Sequence, residues 1–200
     1  METRVTGRRR GPYAKSAERR RSIVDAAFDV FAARGYHGGS LQEVADRVGM
    51  SQTSLLHHFP TKRHLLVAVL DRRDEIDGER LPEEEAHDFP SALVRRARIN
   101  EATPSLIELY SVLCGEAMTE GHPARDYFTA RFAGLRTAYA DQLRELRDQG
   151  RLRSGTDPER AAATIIAMWD GLQDQWLLDP AIDMAGCLAD YLALIILPER

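Results

Sequence analysis

Residues 40–62, SLQEVADRVGMSQTSLLHHFPTK, carry two short helix signals parted by one glycine, and a third signal starts at once. Ser40 suits a helix N-cap, and Glu43 three residues later completes a capping box. Leu41, Val44, Ala45 and Val48 then fall on one helical face. Gly49 follows the last of them, where a left-handed terminator is wanted. Ser51 caps a second helix, Gln52 to His58. Phe59-Pro60 stops it, and Thr61 caps a third that opens at Lys62. So short a connection makes the first two helices cross steeply. It brings Gln52, Thr53 and Ser54 to the leading turn of the second helix, the part of a helix-turn-helix that enters a major groove.

The wider pattern runs from about Arg20 to Val69. It has an apolar face at Ile23, Ala26, Ala27, Val30 and Phe31, then Arg34-Gly35-Tyr36, then VADRVGMS at Val44–Ser51, then HHFPTK at His57–Lys62 with Leu65 and Leu66 after it. In these spacings the chain resembles the TetR family of transcriptional regulators. Two positions depart from the family pattern. Leu56 stands where the family usually has an aromatic, most often a tyrosine that contacts the DNA backbone, and Thr53 stands where it often has glycine. The first change removes a hydroxyl from the phosphate contacts, and the second adds a side chain able to reach a base edge.

Charge divides the chain in the same way. Residues 1–72 hold 13 Lys/Arg and 7 Asp/Glu, whereas residues 73–200 hold 14 and 24. A net charge of −4 therefore conceals a basic head on an acidic body, and phosphate attraction is local. Much of the basic excess precedes the first apolar face: Arg4, Arg8, Arg9, Arg10, Lys15, Arg19, Arg20 and Arg21. Gly7, Gly11 and Pro12 mark residues 1–15 as a disordered arm. Such an arm either follows phosphates or a minor groove, or is a solvated tail that adds only non-specific attraction. The expected division is an arm at 1–15, a DNA-binding domain at 16–62 and a helical ligand-binding and dimerisation domain at 63–200.

Within the head, Gln52 and Thr53 are the base-edge candidates, since glutamine pairs bidentately with adenine. Ser40, Ser54, His57 and Lys62 are the phosphate candidates. His57-His58 is not read as a metal pair, because neighbours on a helix diverge and no further ligand has useful spacing. No metal and no cofactor is expected. Glycine-rich phosphate loops, HExxH, GxSxG and CxxC are all missing from the sequence, which argues against an enzyme.

The rest of the sequence reads as helices, giving an all-α chain. No apolar run reaches ~18 residues, so no membrane partner is expected. Nor does an apolar stretch follow the basic N-terminus, so no secretory leader is read there. Cys114 and Cys187 are far apart and fit a reducing cytoplasm, either as two inert buried thiols or as a redox pair. The signals predict helices at about 62–77, 91–101, 105–120, 124–149, 156–178 and 182–196, with an acidic, proline-bounded loop at 78–90.

The last two of these helices carry more apolar residues than one face can hold. The resemblance implies that they pair with the same helices of a second copy. Leu172, Trp176, Leu188, Tyr191, Leu192 and Ile195 are the interface candidates, and a palindromic double-stranded operator would match the resulting two-fold axis. The resemblance also implies a small-molecule effector that shifts the two heads apart. Its pocket is sought among Tyr110, Cys114, Met118, Phe128, Phe132, Trp169 and Gln173, with Arg131 and Asp170 as polar handles. The expectation is a homodimeric repressor released by that effector. The competing expectation is a dimeric adaptor or ligand-binding protein whose DNA head is weakened at Leu56.

Overall fold

The computed structural model describes residues 12–79 and 88–198. Among these, the chain forms helices α1 (Pro12–Gly38), α2 (Leu41–Arg47), α3 (Gln52–His58), α4 (Lys62–Glu79), α5 (Phe89–Glu101), α6 (Pro104–Ala117), α7 (Arg125–Asp148), α8 (Pro158–Leu178) and α9 (Met184–Ile195). The expected all-α class is what the chain adopts, and no described helix is long and apolar enough to cross a membrane. The helices fall into two compact units, Met1–Arg72 and Arg73–Arg200.

In the first unit, α1 supplies the wall of the core with Ile23, Ala27, Val30 and Phe31. Val44 and Ala45 from α2, Leu55 from α3, and Phe59 close it. The caps are those the sequence specifies. Ser40 Oγ accepts from the Glu43 amide at 3.0 Å, and Ser51 Oγ accepts from the Ser54 amide at 3.2 Å. The Glu43 carboxylate turns to Arg34, 3.6 Å away. α2 ends in a Schellman turn. Gly49 adopts φ 66°, its amide bonds Asp46 O at 3.1 Å, and the Met50 amide bonds Ala45 O at 3.0 Å. Gly39 has a different reason to lack a side chain. A Cβ there would lie 2.8 Å from Val30 Cγ1 and 3.0 Å from Phe31 Cδ1.

Three expectations change here. The arm expected to be disordered at 1–15 lies outside the described residues as far as 11, but Pro12–Lys15 already belong to α1. Proline in a first helical turn has no amide to waste and a φ preset for helix. The division between units comes at Arg72 and Arg73, ten residues beyond the expected 62/63. Leu65, Leu66, Val69 and Leu70 of α4 are all buried, so the start of α4 belongs with the head. Arg19 and Arg20, counted above with the basic excess, are exposed but bond back onto the head. Arg19 donates to Val48 O at 3.3 Å, and Arg20 donates to His58 O at 2.7 Å with its guanidinium 4.0 Å from the Phe59 ring centre. Both satisfy carbonyls left over at helix C-termini, where positive charge is favoured.

In the second unit α7 packs along α8, and α9 lies against α5. The core joins Leu93 and Ala97 of α5, Leu143 and Leu146 of α7, Ala162 and Ile165 of α8, and Leu188 and Leu192 of α9. α7 ends as α2 does. Gly150 takes φ 72°, and the Arg151 amide turns back to Leu146 O at 2.8 Å. The chain then forms an isolated antiparallel bridge from Leu152 to Ile196, flanked by Arg153 N to Ile195 O at 2.8 Å and Leu197 N to Arg151 O at 2.7 Å. α6 stops at Ala117, three residues before the expected Glu120, because Gly121 (φ 78°) sets a turn there. Of the acidic loop expected at 78–90, residues 80–87 lie outside the described residues, and α5 starts two residues early at Phe89 with Pro90 in its first turn. Cys114 is buried but Cys187 is exposed, which corrects the expectation of two buried thiols.

Candidate functional site

The head positions α3 through one anchor. Leu55 is fully buried, while Gln52, Thr53, Ser54 and His57 around it are exposed. Leu56 also reaches the surface. Ser51 and Ser54 lie Oγ to Oγ at 2.9 Å, so the Ser54 hydroxyl already has one partner and keeps capacity for further hydrogen bonds. Ser40 is exposed although it caps α2. Lys62 is held more firmly than a solvated lysine. Its ammonium sits 4.7 Å above the Tyr36 ring and 3.4 Å from His37 O. All six DNA-binding candidates thus lie in the first unit, five of them exposed and Lys62 half-buried against Tyr36. The arrangement can offer amide and hydroxyl groups to base edges and a cation to phosphate.

The seven pocket candidates do not line one space. Tyr110 and Trp169 line a narrow cavity with Arg73, Arg96, Asn100, Arg131, Tyr139 and Asp170. Cys114, Met118, Phe128 and Phe132 border an open depression beside Arg125. Gln173, with Trp169 and Leu172, lines a small void closed by Ala97, Met184 and Leu188. Met118 is 75% exposed, so it is a surface residue rather than a wall. Arg131 and Asp170 do line the first cavity, as polar handles would.

That cavity mixes charged with apolar lining, Leu135 and Ile166 among the latter, and its chemistry follows from burial. Arg73 is buried and pairs with Asp74 at 3.0 Å. The same Asp74 oxygen receives Arg131 at 3.2 Å and the Tyr127 hydroxyl at 2.8 Å. The guanidinium of Arg73 lies 4.8 Å from the Tyr110 ring centre, and that of Arg131 lies 5.6 Å from it. Burial pushes the Asp170 carboxyl up to about 6, helped by nearby Asp174 and opposed by Arg131, the Tyr110 hydroxyl and Arg73. Burial likewise holds Tyr110 far above the ordinary phenol range. The Cys114 thiol goes up to about 11, first by burial and then by Asp170 and Asp174, so it is no nucleophile at neutral pH.

Sequence reasoning missed Arg73, Asp74, Arg96, Asn100, Tyr127 and Tyr139 as parts of this site. One signal was present. Tyr127, Arg131, Leu135 and Tyr139 recur every four residues on α7, and Arg96 and Asn100 do so on α5. Among the described residues no group of three or more His, Cys, Asp or Glu is placed to hold a metal.

The six interface candidates separate into two sets. Leu188 and Leu192 are covered by their own chain. Leu172, Trp176, Tyr191 and Ile195 are only partly buried. Leu178 is 89% exposed and Leu194 67% exposed, and neither was among the six interface candidates. α9 therefore has one apolar face against α5 and a second that includes Tyr191, Leu194 and Ile195.

Comparison with known proteins agrees with this layout. The family description of bacterial regulatory proteins of the tetR family matches residues 23–69, and that of the C-terminal part of BetI-type transcriptional repressors matches residues 91–196. The chain is 46% identical over 66 residues to the HTH-type transcriptional activator FasR of Mycolicibacterium smegmatis, a match spanning 33% of this chain and 30% of that protein. It is 27% identical over 190 residues to the HTH-type transcriptional regulator TtgR of Pseudomonas putida, covering 86% of this chain and 87% of that one. A transcriptional regulator from Saccharomonospora viridis, solved in complex with choline, superposes with a TM-score of 0.77 at 26% identity, over 92% of this chain and all of the other.

Proposed function

The chain belongs to the TetR family of bacterial transcriptional regulators, which are not enzymes, and on that premise we propose that it is a homodimeric, cytoplasmic repressor released from a palindromic operator by a small-molecule effector. The observation that carries the reading is α3, anchored by buried Leu55 and offering Gln52, Thr53, Ser54 and His57 to solvent from a fully packed head. Gln52 and Thr53 read base edges, while Ser40, Ser54, His57 and Lys62 fix the head on phosphates. The second apolar face of α9, together with Trp176 and Leu178 of α8, supports pairing with a second copy. Two-fold pairing makes two heads read two half-sites, so the operator is palindromic.

The effector enters the second unit. The choline complex of the S. viridis regulator supports a ligand site in this fold. α4 begins in the head and carries Arg73 and Asp74, which belong to the cavity's cluster. A ligand that prefers one setting of this helix shifts the population of DNA-competent dimers, as two-state coupling requires.

Positive control is the second reading, because FasR is described as an activator. A reporter driven by the promoter beside the chain's own gene separates the two. Repression predicts that deleting the regulator raises expression and that Gln52→Ala reproduces the deletion. Expression that falls on deletion establishes activation, and expression indifferent to deletion removes this promoter as a target.

A further inference from the structure

Leu56 puts an apolar point on a face of α3 that is otherwise polar. The residue is 36% exposed, and Gln52, Thr53, Ser54 and His57 around it are exposed as well. Leu55, its neighbour, is fully buried and fixes which side of the helix turns inward. Successive residues on a helix turn by about 100°, so Leu56 falls between Gln52 and Thr53 in angle, one turn further along. Long side chains on a helix lean toward its N-terminus, which carries the Leu56 side chain back over those two residues. Ser54 lies on the other flank, with its hydroxyl 2.9 Å from that of Ser51. One patch therefore offers the amide of Gln52, the hydroxyl and methyl of Thr53, and the branched apolar end of Leu56.

Such a patch has a matching base edge. In the major groove thymine alone presents an apolar group, its 5-methyl; the other edges show donors and acceptors that a leucine cannot use. A leucine has no donor for a phosphate either. Four residues of helix rise about 6 Å and base pairs stack about 3.4 Å apart, so a methyl met by Leu56 lies within two base pairs of the base met by Gln52.

We propose that Leu56 is a specificity-determining residue that reads a thymine 5-methyl group, within two base pairs of the adenine read by Gln52. This rests on the reading of the head as a DNA reader. The aromatic hydroxyl missing at this position is a backbone contact that carries no sequence information, whereas the methyl contact does. Leucine here moves binding energy from phosphates to bases and makes the head more selective, not vestigial.

The test uses the full-length protein. Duplexes that bind it are enriched from random-sequence DNA, and the enriched sequence gives the half-sites. Each thymine of that duplex is then replaced singly by deoxyuridine, which removes the 5-methyl and leaves pairing intact. Fluorescence anisotropy reads the affinity. At one thymine in each half-site the wild type should lose about fourfold, the worth of one methyl taken out of an apolar contact. That thymine should lie within two base pairs of the adenine at which Gln52→Ala relaxes preference. Leu56→Ala should bind the thymine duplex more weakly and no longer distinguish it from the deoxyuridine one, so the two changes are not additive. Leu56→Met keeps an apolar end and should keep the discrimination. Thr53→Ser removes only the neighbouring methyl and should keep it too. Leu56→Gln gives the same readout as the alanine change where the latter fails to fold.

Enriched DNA that tolerates deoxyuridine at every thymine overturns the proposal. So does a deoxyuridine penalty that survives Leu56→Ala or disappears with Thr53→Ser. Specific binding without the penalty sinks this inference alone and leaves Leu56 a backbone or packing residue. Failure of any sequence to enrich sinks the DNA-reading assignment itself, and this inference with it.

Discussion

Asp170 offers a calculation that starts from a single buried carboxyl. Its ordinary value of 3.8 rises to about 6, mainly because burial penalises the charged form and secondly because Asp174 is near. A carboxyl whose native value is raised binds more protons folded than unfolded between these two values. Stability therefore falls as pH climbs from 4 to 6 and stays reduced above that. At ~1.36 kcal/mol for each tenfold change in proton affinity, full ionisation costs at most about 3 kcal/mol, and solvent at the cavity edge brings this to roughly 1–2 kcal/mol. The groups that face Asp170 are Asp174 on its own helix, Tyr110 and Cys114 on α6, Arg131 on α7, and Arg73 on α4, with Arg96 of α5 in the same cavity. Asp170→Asn keeps the shape and an acceptor for the Tyr110 hydroxyl but cannot ionise. In urea titrations at fixed protein concentration, the variant should match the wild type at pH 4 and exceed it by roughly 1–2 kcal/mol at pH 7. A stability difference independent of pH would refute the reasoning, because it would mean that Asp170 titrates normally.

Other substitutions test other parts of the account. Gly39→Ala forces a methyl against Val30 and Phe31 and should cost about 1–3 kcal/mol in thermal unfolding, whereas an unchanged melting temperature would mean the head has slack there. Gln52→Ala should weaken operator binding by about 1–3 kcal/mol and relax preference at one base position; equal loss on all sequences would remove its base-reading role. Lys62→Ala should weaken all DNA alike and reduce the salt slope by about one, and a sequence-dependent loss would count against a phosphate contact. Leu194→Glu places a charge on the second face of α9, where the side chain is 67% exposed, so it should split the dimer with little effect on the protomer fold. Light scattering that still gives a dimer mass would move the interface elsewhere.

Local signals were legible where the deciding atoms are close in sequence. α3 has the predicted limits because Ser51 caps it and Phe59-Pro60 ends it within a few residues. The stop at Gly150 and the start at Asp157-Pro158 are of the same kind. The site in the second unit was only half legible. Arg72 and Arg73 are identical neighbours in sequence, yet Arg72 pairs with Asp25 at 3.7 Å and Arg73 is buried beside Tyr110. What decides between them is the set of helices facing each side of α4, which no window around residue 73 contains. The apolar surplus of α9 was visible, but not which leucines face inward. Leu188 and Leu192 meet α5, whereas Leu194 points out, and only the packing of α5 on α9 separates them.

The central claim, that this chain reads DNA sequence, is tested most directly by binding to the DNA that flanks its own gene, against scrambled DNA of equal length, at low and at near-physiological salt. The account predicts a complex on the flanking DNA that survives the higher salt and protects two half-sites about one helical turn apart, or a multiple of it. Equal binding to both DNAs that vanishes with salt, repeated when all genomic fragments are offered, would contradict it. The head would then be a basic surface without a reading function.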